Sequence, residues 1–311
     1  MIRCLCLNPS LDKTVSVPEF SLTAPNRVTL VRADAAGKGV NAAQAILSLG
    51  GRATLYAFDF RDEPIARKTR QAGIPCRLIP TGGTLRVNLK IWDETNRRTV
   101  EVNEPGSAPA PEKRDALLNV FLDDCHPGEW AALSGSVPPG MDKAVYRELC
   151  RALREKGCRV AADCDGDALK AVLEAKPSLI KPNEEEFAQL TGVRSDDPSV
   201  LAAACRPLTE QGINVCLSLG PRGALLATAE ETLFCPAADV PVRSLQGAGD
   251  SMLAGLLTAL ERGGTFASAL AFASAAAGAS IALPGTLLCG REDAERLYPL
   301  LYASICPLSS K

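Results

Sequence analysis

From about residue 111 onward, segments with the pattern of buried strands alternate with segments of helix length. This alternation restricts the possible fold more than any other feature of the sequence. The predicted helices span 111–124, 142–156 and 167–175, and the predicted strands span 130–134, 158–163 and 178–181. Strands separated by helices usually lie parallel in one sheet, which helices cover on both faces. The pattern therefore predicts an α/β body with a mainly parallel central sheet.

Further elements are predicted on either side of this region. Apolar segments at 2–7 and 53–57 are expected to be buried strands, and a helix is expected over 39–49, where two glycines end it. Towards the C-terminus the predicted strands span 215–219, 224–228 and 232–235, and the predicted helices span 249–262 and 266–283. The short connections between these three strands indicate an antiparallel meander.

A small separate sheet is predicted from more polar segments. Residues 13–32 alternate in character, with interruptions at Pro18 and Pro25, and residues 86–102 read as a hairpin with its turn at 93–96. Such alternation is typical of strands with one face in water. We therefore predict a single domain over 1–311, in which segments at about 13–32 and 85–103 form a β-sheet lid.

Charge and hydropathy exclude several classes of function. The 311 residues are 46% hydrophobic and 23% charged, and 34 Lys plus Arg against 36 Asp plus Glu give a formal charge of −2. Nucleic-acid binders usually carry an excess of basic residues, so nucleic acid is not an expected partner. No run of about 18 apolar residues indicates a membrane helix, and the apolar start is too short for a signal peptide. We expect a cytoplasmic protein without a membrane partner.

The cysteines and the histidine indicate neither a metal cluster nor a hydrolase. The 12 cysteines are scattered and none forms a Cys-x-x-Cys pair, so we expect reduced, mostly buried thiols. The one histidine, His126, precedes Pro127-Gly128 and is expected in a surface loop. A mechanism that needs a Ser-His or Cys-His pair therefore lacks its main candidate.

The segment 246–251, Gln246-Gly247-Ala248-Gly249-Asp250-Ser251, leads into a predicted helix and is the most informative part of the chain. Glycines before a helix allow backbone N–H groups to turn toward an anion, which the helix dipole also attracts. Asp250 could accept a proton from an attacking hydroxyl while these amides hold a transferring phosphoryl group. The alternative is an Asp that caps a helix after a glycine turn.

A second glycine cluster, Gly37-Lys38-Gly39-Val40-Asn41, also opens a predicted helix. It is not a nucleotide P-loop, because no Ser or Thr follows Lys38 and the glycine spacing differs. One interpretation is a backbone that approaches a polar substrate closely, with Asn41 hydrogen-bonded to a hydroxyl. The other is an ordinary glycine-rich turn.

Together the two clusters resemble the signature motifs of the PfkB branch of the ribokinase-like sugar kinases. Further resemblances follow in family order and span nearly the whole chain: Leu7-Asn8-Pro9-Ser10-Leu11-Asp12, Arg86-Val87-Asn88-Leu89-Lys90, Ser134-Gly135-Ser136-Val137-Pro138-Pro139-Gly140, Lys181-Pro182-Asn183-Glu184-Glu185-Glu186 and Ser218-Leu219-Gly220-Pro221-Arg222-Gly223. The resemblance implies a three-layer α/β/α body with a mainly parallel sheet and a small β-lid. It also implies phosphorylation of a sugar hydroxyl by ATP with Mg²⁺.

The resemblance implies a role for each motif. Asp250 would be the base, and Gly247, Ala248 and Gly249 would stabilise the transferring phosphoryl group. The residues implied in substrate binding are Asp12, Gly37, Lys38, Gly39, Asn41, Arg86, Asn88 and Lys90. Those implied in nucleotide binding are Lys181, Asn183, Ser218, Gly220, Gly223 and Gly249. Glu186 and Asn183 would hold Mg²⁺, partly through water. Glu184 and Glu185 are expected to be solvated acids near the helix dipole.

Within the family, the residues around Lys38, the strand from Arg86 to Lys90 and the segment 103–106 look most like those of 1-phosphofructokinases, which phosphorylate C6 of fructose 1-phosphate. Arg86, Asn88 and Lys90 share one face of a strand, so two cations could clamp a phosphate already on the sugar. The alternative is surface charge on a lid strand. Kinases of tagatose 6-phosphate and fructose 6-phosphate share most of these residues.

Two departures from the family pattern leave other functions open. Gln246 stands where the family usually has Thr or Val, and residues 57–66 lack the glycines of the family's loop beside the sugar site. A sugar-phosphate-binding regulatory protein without turnover is therefore one rival. A kinase of a non-phosphorylated sugar or nucleoside is another, although it would leave Arg86 and Lys90 without a phosphate partner. Because related kinases pair through the lid, we expect a homodimer.

Overall fold

The computed structural model of the chain describes residues 1–61 and 63–308. Its strands are β1 (Ile2–Cys6), β2 (Ser10–Val17), β3 (Leu30–Ala36), β4 (Ala53–Asp59), β5 (Cys76–Pro80), β6 (Arg86–Asp93), β7 (Arg98–Asn103), β8 (Trp130–Ser134), β9 (Arg159–Asp163), β10 (Leu179–Ile180), β11 (Asn214–Ser218), β12 (Ala224–Ala227), β13 (Thr232–Cys235) and β14 (Cys306–Pro307). Its helices are α1 (Lys38–Ser48), α2 (Pro64–Gln71), α3 (Pro111–Asp124), α4 (Val145–Glu155), α5 (Gly166–Leu173), α6 (Glu184–Thr191), α7 (Pro198–Thr209), α8 (Ala248–Glu261), α9 (Phe266–Ile281) and α10 (Arg291–Ala303).

Ten of these strands form the central sheet, in the order β14-β13-β12-β11-β10-β9-β8-β1-β4-β5. The seven strands from β11 to β5 are parallel, and β12 to β14 extend the sheet in antiparallel fashion. The chain runs from β1 to β4 and β5 on one side, and later from β8 to β11 on the other. The strand order therefore reverses between β1 and β8, where open α/β sheets have their binding crevice.

Helices cover both faces of this sheet, because its buried strands carry apolar side chains on both sides. In β1, Ile2, Cys4 and Cys6 pack toward α1, α8, α9 and α10, whereas Leu5 packs toward the layer of α3 to α7. Each face therefore has its own apolar core. The predicted three-layer α/β/α body with a mainly parallel sheet is confirmed.

The lid is a four-stranded sheet in the order β3-β2-β6-β7. The register pairs Asp12 of β2 with Asn88 of β6, and Asn88 with Asn103 of β7. Since side chains alternate between the faces of a strand, one face of the lid carries these polar residues. The opposite face carries apolar residues on the same four strands: Leu11, Val15, Val31, Val87, Leu89, Ile91, Val100 and Val102.

The predicted helices at 111–124, 142–156 and 167–175 correspond to α3, α4 and α5, and the predicted meander is β11 to β13. The sequence patterns did not predict α2, α7, α10, β5 and β14, and of α6 only the start at Glu184 and Glu185 was expected. Within 13–32 the strands occupy only the two ends, and the segment with Pro18 and Pro25 connects them. The assignment of 1–311 to a single domain stays a prediction, and residues 309–311 lie outside the described residues.

The cysteines match the expectation of buried thiols. Ten of the twelve are buried, Cys76 is half-buried and Cys306 is exposed, and all twelve are free. His126 is exposed in the turn after α3. No helix within the described ranges has the length and apolar character that a membrane crossing needs.

Candidate active site

The candidate residues gather at the carboxyl ends of the parallel strands. Asn8 follows β1, Asp163 ends β9, Lys181 follows β10, and Ser218 ends β11. Parallel strands present their carboxyl ends at one edge of a sheet, so residues distant in sequence come together there. The crevice beside β1 and β8 is therefore the candidate active site.

Asp250 lies in the first turn of α8, whose N-terminus faces the crevice. Gly247 caps this helix with a φ of 72°, and a Cβ there would lie 2.5 Å from Cδ2 of Leu288. Glycine is therefore needed both for the left-handed turn and for the space. Ala248 and Gly249 begin the helix, and their backbone N–H groups belong to the four that have no intrahelical partner. These groups and the helix dipole favour an anion beside Asp250.

The Asp250 carboxyl is buried and accepts a hydrogen bond from Nδ2 of Asn41, in the first turn of α1, at 2.7 Å. Burial and the charge of Asp163 raise the pKa of Asp250 to about 6, although Asn41 and Lys38 act to lower it. A carboxyl of this pKa is largely ionised at neutral pH and is a stronger base than an ordinary aspartate. The two glycine clusters therefore meet at Asp250.

Asp163 lies between the ammonium groups of Lys38 and Lys181. It was not among the candidate site residues predicted from the sequence. Its carboxylate accepts from Lys38 at 2.9 Å and lies 3.3 Å from Lys181 Nζ, and it is 1% exposed. Burial acts to raise the pKa of Asp163, but Lys181 and Lys38 outweigh it and the pKa is lowered. One sequence signal could have identified Asp163: it is an acidic residue directly after the apolar run Val160 to Ala162.

Lys38 and Lys181 approach this centre from different elements. Lys38 begins α1, just after Gly37 and before Gly39, and its ammonium also lies 3.5 Å from Oε1 of Glu186. Burial acts to lower the pKa of Lys38, but Asp163 and Glu186 raise it above its usual value. Lys181 Nζ would lie 3.4 Å from a Cβ at Gly249, so its ammonium is beside the start of α8. Both cations are therefore close to the candidate anion site.

Asn183 and Glu186 form a capping box at the start of α6. The Asn183 side chain accepts from the Glu186 N–H, and Oε2 of Glu186 accepts from the Asn183 N–H, each at 2.8 Å. Oε1 of Glu186 faces Lys38. Oδ2 of Asp163 makes no hydrogen bond within the described ranges and has only the ion pair with Lys181 Nζ at 3.3 Å. Oxygen donors of this kind fit Mg²⁺. No group of three or more His, Cys, Asp or Glu residues in the described part of the chain could hold a metal, so such an ion would need waters and substrate oxygens.

The turn after β11 stands next to α6. Ser218 forms a parallel bridge with Asn183 and donates its N–H to the carbonyl of Pro182 at 3.1 Å. Gly220 begins a 3₁₀ turn, and Gly223 closes it by donating to the Gly220 carbonyl at 3.2 Å. The turn after β11 therefore lies beside Asn183 and the start of α6.

Glu184 and Glu185 at the start of α6 are not simply solvated. Arg222 of the 3₁₀ turn pairs with Glu184, whose side chain is 43% exposed. Arg194 pairs with Glu185 at 2.7 Å on the exposed surface. The Arg222 pair ties the turn after β11 to the beginning of α6.

On the lid side, Asp12 is the centre of a buried polar cluster. Lys90 Nζ pairs with its Oδ2, Asn88 donates to its Oδ1 at 2.9 Å, and the Ser10 hydroxyl donates to the same oxygen at 3.0 Å. Oδ1 of Asn88 is buried with no partner in the described part of the chain. The cluster therefore presents a fixed carboxylate and an unused acceptor on the polar face of the lid.

Arg86, Asn88 and Lys90 share the predicted face, but the two cations have different partners. The Arg86 guanidinium donates to the carbonyls of Asn8 and Pro9 at 2.9 and 3.4 Å, whereas Lys90 pairs with Asp12. Arg86 thus uses two of five N–H donors, and Lys90 one of three. Donors for a phosphate remain on both side chains.

The two departures from the family pattern have structural counterparts. Oε1 of Gln246 is buried and without a partner among the described residues. In the segment 57–66, Asp59 accepts from the N–H groups of Phe60, Ile65 and Ala66 at 3.0–3.1 Å and so fixes the start of α2. Asp62 lies outside the described residues.

Helix α2, which begins at the end of the segment 57–66, also supports the lid. The Lys68 ammonium, on α2, donates to the Ala33 carbonyl of β3 at 2.7 Å. A helix held by Asp59, rather than a glycine loop, therefore connects the central sheet to the lid.

Comparison with known proteins places this geometry in a family. The sequence profile described as pfkB family carbohydrate kinase matches residues 7–293. A 1-phosphofructokinase from Rhodobacter capsulatus is 35% identical over 268 residues, which cover 84% of this chain and 84% of the relative. ATP-dependent 6-phosphofructokinase isozyme 2 from Escherichia coli strain K12 is 29% identical over 305 residues, which cover 96% of this chain and 98% of the relative.

The fold agrees with the sequence match. The crystal structure of phosphofructokinase-2 from Escherichia coli in complex with substrates and products has a TM-score of 0.92 and 28% identity to this chain, and the match covers 96% and 99% of the two chains. Both lines of comparison span the central sheet, the lid and the crevice. The chain therefore belongs to the pfkB family of carbohydrate kinases.

Proposed function

We propose that this chain transfers the γ-phosphoryl group of ATP to the C6 hydroxyl of fructose 1-phosphate, giving fructose 1,6-bisphosphate and ADP. The observation that carries the proposal is the buried Asp250 at the start of α8, with a pKa raised to about 6 and with free backbone N–H groups beside it. Asp250 as a base and these N–H groups as an anion site would then share one helical turn. Phosphoryl transfer depends mainly on such positioning and charge stabilisation.

In the proposed reaction, Asp250 accepts the proton of the C6 hydroxyl as that oxygen bonds to the γ-phosphorus. The bond from the γ-phosphorus to the β–γ bridging oxygen breaks, and the electron pair leaves with ADP. The N–H groups of 247–249 and the ammonium of Lys181 lie where charge on the transferring group would be stabilised. Asn41 holds the carboxylate in place through its hydrogen bond.

The lid would hold the sugar phosphate. Asp12, fixed by Lys90 and Asn88, would accept hydrogen bonds from sugar hydroxyls, and the open acceptor of Asn88 would take another. The unused donors of Arg86 and Lys90 suit a phosphate that the substrate already carries. The backbone of Gly37 and Gly39 would approach the sugar closely, since neither has a Cβ.

The nucleotide would lie along Lys181, Asn183, Ser218, Gly220, Gly223 and Gly249. The oxygens of Asn183 and Glu186, with the Asp163 carboxylate beside them, would hold Mg²⁺ together with waters and nucleotide phosphates. When bound, the ion neutralises charge on the β- and γ-phosphate oxygens. Arg222 keeps the start of α6 beside the turn after β11 through Glu184.

The similarity to the Rhodobacter capsulatus 1-phosphofructokinase supports fructose 1-phosphate as the acceptor. The longer match to the Escherichia coli 6-phosphofructokinase isozyme 2 favours fructose 6-phosphate as a second candidate. An ADP-release assay with Mg-ATP and fructose 1-phosphate, tagatose 6-phosphate or fructose 6-phosphate separates them. Preference for fructose 1-phosphate supports the proposal, and preference for another ketose phosphate changes only the substrate. Sugar-phosphate binding without ADP release would instead indicate a regulatory protein, and preference for ribose or adenosine a different kinase.

Replacement of the base tests the mechanism. We expect Asp250→Asn to lower kcat by at least about 100-fold, because general-base catalysis typically contributes about 10²–10⁴-fold. Substrate binding, measured by calorimetry, should be nearly unchanged. Wild-type turnover in this variant would rule out Asp250 as the base.

We also propose that two copies of the chain associate through their lids. The apolar face of the lid includes Val31 and Val102, which are 55% and 56% exposed, on its two edge strands. Such a face favours association when a second sheet covers it. A tetrameric inhibited form is described for phosphofructokinase-2 from Escherichia coli, whose structure resembles this chain with a TM-score of 0.90.

A further inference from the structure

The acidic residues of the crevice outnumber the lysine cations beside them. Asp163, Glu186 and Asp250 contribute three carboxyl groups, and Lys38 and Lys181 contribute two ammonium groups. Lys38 serves two of the carboxylates, at 2.9 Å from Asp163 and 3.5 Å from Glu186. The Lys38 ammonium therefore lies where a bound metal cation would neutralise the carboxylate oxygens of Asp163 and Glu186.

Lys38 is also the least confined of the three site lysines. Its side chain is 34% exposed, compared with 10% for Lys90 and 4% for Lys181. Lys181 is enclosed beside Asp163, and Lys90 is enclosed beside Asp12. An exposed ammonium group loses less by leaving its partners, because water can solvate it on the way. Lys38 is therefore the cation that can exchange partners.

The backbone of Lys38 belongs to the sugar side of the crevice. It directly follows Gly37, where a Cβ would lie 3.1 Å from the Cα of Pro9, next to the strand that carries Asp12. Its ammonium reaches across the crevice to Asp163 and Glu186 on the nucleotide side. One side chain thus connects the two halves of the site.

We propose that Lys38 is an exchangeable counter-cation that couples the two substrates. In the substrate-free chain its ammonium neutralises Asp163 and Glu186. When the Mg²⁺-nucleotide is bound, Asp163 and Glu186 would face the ion, whose charge would replace that of the ammonium beside them. The Lys38 ammonium then leaves these carboxylates and binds the phosphate of the sugar substrate. Each substrate then raises the affinity for the other by the same factor, as linkage requires. This inference rests on the proposed function.

Calorimetry of fructose 1-phosphate binding tests the coupling without turnover. The dissociation constant is measured with and without saturating Mg²⁺ and a non-hydrolysable imido analogue of ATP. In the wild type we expect the Mg²⁺-analogue to tighten binding by about 5-fold or more, the lower end of typical coupling. The same analogue with EDTA in place of Mg²⁺ should give no such gain.

Two substitutions identify the residue responsible. In Lys38→Met the ratio of the two dissociation constants should fall below about 2, because the exchangeable charge is gone. Lys38→Gln provides a second neutral variant, and circular dichroism establishes that each variant is folded. Lys90→Met is the matched control: it should weaken binding under both conditions and keep the wild-type ratio, since among the described residues Lys90 pairs with Asp12 alone.

The outcomes separate this inference from the proposed function. Turnover of fructose 1-phosphate with a wild-type ratio near 1 overturns the coupling and leaves the function standing. A ratio that survives in folded Lys38→Met and Lys38→Gln assigns the coupling to another element and also overturns the inference. Absence of both binding and turnover with fructose 1-phosphate overturns the function and the coupling together.

Discussion

At the scale of single residues, the state of Asp250 is decided by opposing influences. Burial and the charge of Asp163 raise its pKa to about 6, and the hydrogen bond from Asn41 acts to lower it. The ionised form, which accepts a proton, therefore predominates at neutral pH and is lost under mildly acidic conditions. Activity should follow this titration.

The pH dependence of kcat/KM gives the first prediction. We expect an acidic limb with an apparent pKa of about 6, below which kcat/KM falls about tenfold per pH unit. Asn41→Ala should move the limb to higher pH, because it removes a hydrogen bond that lowers the pKa. Asn88→Ala, whose side chain contacts Asp12 instead, should leave the limb in place. An identical limb in Asn41→Ala would contradict the assignment to Asp250.

Asp163 gives the second prediction. It is 1% exposed and neutralises both Lys38 and Lys181. Asp163→Asn should lower the free energy of unfolding by about 3–5 kcal/mol, because it leaves the enclosed Lys181 ammonium without its counter-charge. The control is Asp167→Asn, since the Asp167 side chain is 71% exposed and pairs with the exposed Lys143. Urea titration measures the free energy of unfolding of both variants, and the control should lose at most about 1 kcal/mol.

Functional residues could be predicted from the sequence where a motif marks them, but their hydrogen-bond and ion-pair partners could not. Asp250 and Asn41 stand in glycine clusters before helices, so their chemistry is readable from the sequence. The pairing of Lys90 with Asp12 depends on the parallel register of β2 and β6, which places Asn88 opposite Asp12. Nothing local marks this register, so Lys90 could be predicted as a phosphate ligand but not as the partner of Asp12. The roles of the site residues stay predictions until the variants are measured.

At the scale of elements, the helix pair α8 and α9 holds the start of α8 at the crevice. A Cβ at Gly255 of α8 would lie 2.8 Å from the Phe272 carbonyl oxygen and 2.9 Å from the Cα of Ala273 in α9. Both are backbone atoms, so relief requires the helices to move apart. Glycine at 255 therefore sets how closely the helix bearing Asp250 packs.

Gly255→Ala is the third prediction. Alanine favours a helix by about 1 kcal/mol over glycine, but the clash at this contact should outweigh the gain. We expect a net loss of about 1–3 kcal/mol in the free energy of unfolding and lower kcat. Gly82→Ala is the control, because no atom of the structurally described residues lies within 4 Å of a Cβ there. A Gly255→Ala variant as stable as the wild type would show that α9 can move away from α8 without a loss in the free energy of unfolding.

Elements were predictable where apolar periodicity was strong. The helix predicted at 142–156 is an example, because its buried residues Val145, Leu149 and Leu153 recur at helical spacing. Helix α2 was not predictable in this way, because its sequence is mostly polar and it buries only Ile65 and Thr69. Its start depends on the cap from Asp59 and its role on the contact of Lys68 with β3. Tertiary contacts of this kind are absent from a local pattern.

At the scale of the whole molecule, the alternation of strands and helices in the sequence predicted the parallel sheet. The position of the crevice depends on the reversal of strand order between β1 and β8. The strand order could not be read from the sequence, because it depends on which strands pair over long separations. The motifs located the chemistry on loops after strands. Only the fold brings the carboxyl ends of β1, β9, β10 and β11 together at one edge.

Association through the lid gives the fourth prediction. Val31→Glu combined with Val102→Glu should reduce the proposed dimer to a monomer, since both side chains lie on the exposed apolar face. Light scattering after gel filtration gives the mass. Leu300→Glu is the control, because Leu300 is 70% exposed on α10, far from the lid in the chain. A wild-type chain that is already monomeric, or a double variant that keeps the dimer mass, would contradict the proposal.

The two faces of the lid have a consequence for changes in chain length. Asp12, Asn88 and Lys90 lie on one face, and valines, leucines and an isoleucine lie on the other, because side chains alternate along each strand. Insertion of a single residue within β2 or β6 would exchange the faces beyond that point and turn the polar cluster away from the crevice. Insertion of two residues would restore the alternation. β2 and β6 can therefore gain or lose only even numbers of residues if the polar cluster is to keep facing the crevice. The connection at 18–29 is free of this restriction.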